Sequence, residues 1–409
     1  MTENKYINWR KNLFLVWLSQ IMSLAAFSAV LPFIPLFIRE HMHITDDSER
    51  GFWVSIFYFV GQAGFCIFTP IWGALSDRYG RRLMLLRANF GSALFIPLMA
   101  IAPDMFWLLL IRIISSACSG TVNAAQTLVC STTPEKHLGV ALGMLSSALW
   151  SGSMLGFLFG GIITNRFGYT AAFISCGVLL AFSGVLVLFV KENFVPPDMN
   201  RRKLAIKRIK KPRRRFSLPS FTKTIWGLLI LFLFIGIARH FDAPFIAMQV
   251  EMVNGITDAA YWTGIICAVA ALAGIGSGLL MGYLSDRFSA MKIALPCVAM
   301  AIFMMISQGA SESLLMLGVS RFLLFFFAGG LDPVFQTILS RVTPLNKRGV
   351  VFGWSASARV GGSVISSLIG GAIVYNLGVR WVFYGGAMVF MLLLPLMFVT
   401  LRRTEKFLR

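Results

Sequence analysis

The chain has 409 residues, of which 57% are hydrophobic and only 13% charged, and 37 Lys and Arg against 17 Asp and Glu leave it at +20. A soluble domain is roughly a quarter charged, so this composition cannot clothe a water-facing surface of such size. The basic balance would suit a nucleic-acid partner, but its densest run, residues 201–215 with ten Lys and Arg, lies between apolar segments and reads as membrane topology instead.

A membrane helix needs about 20 apolar residues. Taken in chain order, such spans fall at 12–38, 51–73, 83–101, 106–130, 138–163 and 169–190, then at 225–248, 259–283, 292–309, 314–339, 350–375 and 381–401. The first is too long for a signal-peptide core and lacks a small-residue cleavage site, so it is expected to remain as a span. The basic residues Arg10, Lys11, Arg78, Arg81, Arg82, Arg87, Arg341, Lys347, Arg348 and the tail fall on one side. The opposite loops are acidic, with Glu40, Asp46, Asp47, Glu49, Asp104, Glu251, Asp258 and Glu312. By the positive-inside rule both termini are cytoplasmic. The six cysteines lie inside apolar segments without metal-ligand spacing and read as small buried hydrophobes. His41 and His43 precede Asp46 and Asp47, but an exposed polar loop fixes no ligand geometry, so neither a metal nor a cofactor is expected.

The two halves repeat. Residues 53–77 align with 262–286, ending in Gly73-Ala-Leu-Ser-Asp-Arg-Tyr79 and Gly282-Tyr-Leu-Ser-Asp-Arg-Phe288. Arg112 then aligns with Arg321, Thr133-Pro134 with Thr343-Pro344, Gly160-Gly161 with Gly370-Gly371 and Phe167-Gly168 with Leu377-Gly378. A collinear series of this kind implies parallel repeats with a site near the bilayer midplane between them. The domains expected are a six-helix bundle at 1–191, a basic cytoplasmic linker at 192–223 resting on anionic headgroups, and a second bundle at 224–409.

The run Gly73-Ala-Leu-Ser-Asp-Arg-Tyr-Gly-Arg-Arg82 resembles the signature loop of the major facilitator superfamily, with every defined position filled. The resemblance implies an all-α membrane protein of twelve transmembrane helices in two pseudo-symmetric six-helix bundles. It also implies a conformational latch at Gly73, Asp77, Arg78, Gly80, Arg81 and Arg82. Gly143, Gly152, Gly156, Gly160 and Gly161 are similar to the glycine motif of the twelve-helix drug:proton antiporters, except that Phe157 replaces a proline. In that family the fifth helix packs against the other lobe. Arg112 matches an arginine linked to proton transfer, although Ser116 replaces the glycine that follows it.

Charges inside a bilayer are costly and seldom face lipid. The span interiors hold Arg112, Arg239, His240, Asp242, Arg321, Asp332 and Arg359, all but Arg112 in the second half. Arg239 and Asp242 are three apart and can share one helix face, just before Pro244. Asp242 is therefore either a proton carrier or half of a fixed pair with Arg239. Arg239, His240, Asp332 and Arg112 complete the proton-coupling candidates. Arg359 is a substrate or coupling candidate. Phe27, Gln62, Asn123, Gln126, Trp150, Phe241, Gln249, Gln336 and Trp354 are the other side chains that could shape a substrate site. No nucleotide-binding Gly-rich Lys-Ser/Thr loop is present, and no catalytic constellation points to an enzyme.

The expectation is a monomeric inner-membrane secondary transporter, with protons, a small molecule and membrane lipids as partners. It would export amphipathic or drug-like compounds by proton-coupled alternating access. The net positive interior leaves open a transporter of an anionic metabolite, siderophore or lipid-like anion. A non-transporting membrane sensor is the remaining alternative.

Overall fold

The computed structural model describes residues 8–192, 194, 221–343 and 348–408, without the side chains at 77, 223, 279, 282, 285, 286, 290, 332, 333, 341, 348, 349 and 405–408. Most of the expected linker, and the side chains of Asp77 and Asp332, thus lie outside the described residues. The described residues form helices and no strand, and ten stretches are long and apolar enough to cross a membrane.

The first half runs α1 (Trp9–Ser28), α2 (Ile34–His41), α3 (Asp47–Tyr79), α4 (Arg81–Leu98), α5 (Met105–Cys118), α6 (Thr121–Thr132) and α7 (Leu138–Leu188). The second runs α8 (Lys223–His240), α9 (Ile246–Asn254), α10 (Ala259–Arg287), α11 (Ala290–Gly309), α12 (Leu314–Gly329), α13 (Leu331–Val342), α14 (Arg348–Leu377) and α15 (Arg380–Leu408). The polar residues between apolar runs stop and start them. Asp46 accepts from the Glu49 N–H and Asp104 from the Trp107 N–H, each satisfying an amide that the first helical turn leaves unpaired. Gly80, at φ +99°, divides α3 from α4. Gly168, at φ 81°, breaks the 51 residues of α7, which if straight would span about 77 Å against a hydrocarbon core of about 30 Å.

Four predicted spans are interrupted near their middles. α1 gives way to α2 through residues 29–33 around Pro32, and α8 to α9 through residues 241–245 around Pro244. A proline removes a backbone donor and clashes with the preceding turn, which accounts for both. α5 stops at Cys118 and α6 restarts at Thr121, across Gly120 in the left-handed region at φ +109°. α12 and α13 part at Gly330.

α7 lies along α1 in the first half, and α14 along α8 in the second. Gly152, Gly156 and Gly160 make this possible, because a methyl on each would run into the α1 backbone at Ile21, Ala25 and Ala29 respectively. The partner of this glycine face is therefore α1 of the same half, and only Gly161, next along, meets the other half at Gly264 of α10. Gly143 has open space around it. Gly156→Leu is expected to destabilise by at least about 2 kcal/mol, since the overlap is with backbone that cannot rotate away. Thermal unfolding in detergent reads this, and Gly143→Leu should leave the transition unmoved.

The halves meet along α7–α10 and α3–α14. Contacts concentrate at the end holding Arg39, Arg50 and Glu251 (the far end). There Ser55 donates to the Ser367 carbonyl at 2.6 Å, and a Cβ on Gly51 would overlap Val374. At the end bearing the signature loop, Gly73 and Gly139 of the first half and Gly278 and Gly353 of the second have nothing within 4 Å of an added Cβ. The molecule is closed at one end and splayed at the other.

Candidate functional site

Asp242 and Arg321 form the charged centre of the second half. Arg321 Nη1 donates to Asp242 Oδ2 and, at 3.2 Å, to Gln308 Oε1. Both charged side chains are only 3% exposed. Gln249 donates to the Gln308 carbonyl at 3.2 Å and to Ser311 Oγ at 3.3 Å, and the Arg321 guanidinium lies 5.1 Å from the Phe325 ring centre. A buried ion pair needs further hydrogen bonds for what the pair itself leaves over, and Gln308 supplies one of these to Arg321, while Arg321 Nε stays buried without a partner. Asp242 comes from the break after α8, Gln308 from α11 and Arg321 from α12, so three elements are tied by one guanidinium.

The partner of Asp242 is thus Arg321, from another helix, and the alternative of a fixed Arg239–Asp242 pair is set aside. Arg239 still shares a void with Asp242. The two line a cavity of about 10 Å³ beside Gly329, large enough for roughly one water. His240 turns its Nδ1 to the Gly236 carbonyl at 3.1 Å. Phe241 and Gln249, expected to line a substrate site, are instead packed away at 1% and 0% exposure: Phe241 against Gly385, Gln249 in the network above.

Among the described residues the first half shows no equivalent pair. Arg112 stacks 4.7 Å from the Phe57 ring centre and presses on Gly61, and among the described residues no carboxylate pairs with it. The register of Pro32 and Pro244 puts Val30 where Asp242 stands in the second half, which explains the asymmetry.

A cavity of about 1040 Å³ lies at the signature-loop end, walled by α3, α4, α5, α6 and α14. Asn123 and Gln126 line it, and Phe352 reaches it from the second half. Trp72 and Arg87, which the sequence offered only as a span residue and a topological base, form its wall. The Arg87 guanidinium lies 3.7 Å from the Trp72 ring centre and donates to the carbonyls of Ala117 and Ser119, both at 3.0 Å. Trp72 Nε1 donates to the Ala117 carbonyl at 2.6 Å. Together they satisfy carbonyls that the α5–α6 break leaves without helical partners.

Of the remaining candidates, Trp150 bridges the halves, lying over Gly274 with its ring edge-on to Phe325 at 6.4 Å. Trp354 meets Trp226 at 6.3 Å, Phe27 is half-buried against the main core, Gln62 is half-buried and Gln336 exposed. Arg359 is half-buried on α14, where its carbonyl abuts Gly236 of α8.

The signature loop is bound within its own half. Glu192 accepts from the N–H groups of Arg81 and Arg82 at 3.1 and 2.8 Å, and Arg82 Nη2 donates to the Leu188 carbonyl at 2.6 Å. Arg78 lies exposed over Tyr79.

At the far end, Glu251 of the second half accepts from Arg39 and, at 2.8 Å, from Arg50 of the first, and Arg50 also pairs with Asp47. Arg50 is 2% exposed. Asn165 donates to Asp258 at 2.8 Å beside this cluster. Sequence reasoning missed the cluster because charges in a polar loop are ordinarily solvated; the signal was that Arg39 and Arg50 are basic residues on an otherwise acidic side.

Broken helices converging between two halves, a large void open at one end and ion pairs sealing the other define a multi-pass membrane transport protein rather than an enzyme. The sequence profile of the Major Facilitator Superfamily matches residues 16–311 and 293–408. The Multidrug resistance protein MdtG of Klebsiella pneumoniae is 32% identical over 379 residues, covering 92% of this chain and 90% of the relative. Its namesake in Escherichia coli is 32% identical over 382 residues, covering 92% and 91%. Among solved structures, a bacterial homologue of the human lysosomal transporter Spinster, inward-facing and occupied, superposes with a TM-score of 0.72 at 15% identity, over 95% of this chain and 96% of that one. The nucleoside transporter NupG gives 0.72 at 10% identity, over 97% and 100%. The chain belongs to the Major Facilitator Superfamily, and it is a multi-pass inner-membrane transporter.

Proposed function

We propose that this protein exports amphipathic or drug-like small molecules against an inward flow of protons, by alternating access. Counting the break at Gly168 as a turn and α8–α9 as one interrupted span gives twelve passes, six on each side of the 192–223 linker. Both termini and the signature loop are then cytoplasmic, and the conformation is inward-open, its outer face shut by Glu251 with Arg39 and Arg50. Efflux is supported by the likeness over nine-tenths of the chain to proteins named for multidrug resistance.

The observation that carries proton coupling is the buried Asp242–Arg321 pair. A proton on Asp242 removes its charge and loosens its hold on Arg321, the guanidinium that ties three elements together. The pair is therefore a two-state element whose equilibrium a proton biases. Asp332 and Arg239 are the other acid and base near this region in the sequence.

The test is flux into proteoliposomes under an imposed pH gradient. Asp242→Asn, which keeps a hydrogen-bond acceptor for Arg321, is expected to lose gradient-driven accumulation by at least tenfold while keeping exchange of substrate for substrate. Accumulation indistinguishable from the wild type would rule out Asp242 as the proton carrier.

A further inference from the structure

We infer that Trp150 of the first half is a positioning residue for the proton site of the second. It seats Phe325 over the void beside Asp242, so that a proton reaches this carboxylate only when the halves move. The inference rests on the proton-coupling reading for its consequence, while the closure of the void is measured separately.

Phe325 belongs to two places at once. Its ring lines the void of about 10 Å³ that Arg239 and Asp242 share, and the Arg321 guanidinium lies 5.1 Å from its centre. It therefore touches the surroundings of both members of the buried pair. On its other side Trp150 meets it edge-on, with ring centres 6.4 Å apart and planes at 86°, an arrangement that aromatic quadrupoles favour. Trp150 is seated in turn on α10, where a Cβ on Gly274 would overlap its ring. Gly274 abuts Gly329, which lines the void, and Ser277 holds its Oγ buried beside Gly329 with no described partner.

The charged and titratable groups around Asp242 come from several elements. They are Arg321 of α12, Arg239 and His240 of α8 and Cys267 of α10, with the neutral Gln308 from α11. Arg359 lies on α14, which runs along α8, and Asp332 lies on α13, its side chain outside the described residues. The aromatic pair sits between this group and the first half, so it is the contact that relative motion of the halves alters directly.

The repeat ties the cover to the acid. At the offset that aligns Arg112 with Arg321, Ser116 stands opposite Phe325. At the offset that aligns Thr133 with Thr343, Val360 stands opposite Trp150. The half that has Val30 in the place of Asp242 thus has Ser116 where the other has a ring. Packing alone would not single out the half that carries the carboxylate. Removing the indole leaves a hole far larger than the volume of about 30 Å³ that one water occupies, so water would reach the void with the halves unmoved.

The test uses the full-length protein without its native cysteines, with Ala328→Cys placing a thiol on the void wall. Trp150→Ala is expected to speed reaction of that thiol with methyl methanethiosulfonate by about tenfold, a loss of about 1.4 kcal/mol of closure. Trp150→Phe, which keeps a ring, should restore most of the protection. Phe325→Ala should act in the same direction, and adding it to Trp150→Ala should change little more, because both remove one cover. Thermal unfolding verifies that each variant is folded, and Phe325→Ala carries the comparison if Trp150→Ala does not fold. In proteoliposomes under a pH gradient without substrate, Trp150→Ala should also raise proton entry, read by an enclosed pH dye. Loss of packing alone gives no such gain, and Asp242→Asn should abolish it. Unchanged thiol reactivity in folded Trp150→Ala overturns the inference, as does a proton leak that persists with Asp242→Asn. Substrate accumulation by Asp242→Asn equal to the wild type removes the coupling reading, while thiol protection that depends on Trp150 still upholds the cover. Accumulation lost in Asp242→Asn, with thiol reactivity indifferent to Trp150, does the reverse.

Discussion

Asp242→Ala is expected to lower the unfolding free energy by about 3–5 kcal/mol, because it strands the Arg321 charge in a site where its side chain is 3% exposed. Gln308 keeps its bond to Arg321 in the variant but brings no charge, so the desolvation cost of the guanidinium is no longer offset. Arg321→Met alone should cost a comparable amount by stranding the carboxylate. The double variant Asp242→Leu with Arg321→Met removes both charges and is expected to recover most of the loss, since buried pairs are often replaceable by apolar residues of similar size. Thermal unfolding of the wild type, Asp242→Leu, Arg321→Met and the double variant in one detergent closes the cycle. Additive losses in the double variant would show that the two residues do not act as a pair. The double variant is also predicted to be folded and unable to accumulate substrate, which separates the coupling role from the structural one.

Glu251→Ala should release the far end. It removes the one carboxylate that Arg39 and Arg50 share, and Arg50, at 2% exposure, keeps only Asp47. Truncating one member of a buried, hydrogen-bonded charge pair costs about 2–5 kcal/mol, here charged to the state in which the far end is shut. A shift of about 2 kcal/mol changes the ratio of open to closed molecules by roughly thirtyfold. The readout is Ser55→Cys in a background without the native cysteines, modified by a membrane-impermeant thiol reagent from the outside. Ser55 is 3% exposed and bonded across the seam, so its modification reports opening. A faster reaction in Glu251→Ala by tenfold or more is expected, with the increase mimicked in part by high salt acting on the wild type. Unchanged modification would mean that the glycine and serine contacts alone hold that end.

Much of the architecture was legible before any coordinates. Gly80, Gly168 and Gly378 mark the turns because each adopts a positive φ that side chains resist, and Pro32 and Pro244 mark breaks by removing donors. The repeat is readable as matched letters at an offset of 209 residues, widening to 210 after Arg112. Pairing was not. Local spacing suggested Arg239 for Asp242, whereas the partner lies 79 residues on, brought in by the packing of α12, which no helical period encodes. Arg321 is the repeat mate of Arg112 in the sequence, but its role depends on which half supplies an acid. The glycine face on α7 was equally plain in sequence. Which helix it met was not, since one residue of rotation separates Gly160, facing α1, from Gly161, facing α10. Arg87 was hidden for a different reason: it looked like one more positive-inside residue, and only the α5–α6 break gives it carbonyls to hold.

The crossing of α7 and α10 at Gly161 and Gly264 brings main chain to main chain, with no side chain inserted between them. Surfaces joined in this way can part without any rotamer having to be withdrawn from a socket. The barrier to separation at this point is then mainly the loss of dispersion over a smooth patch, while the neighbouring charges govern how often it is crossed. A bulky residue at either glycine would wedge the crossing apart and weaken the seam between the two halves.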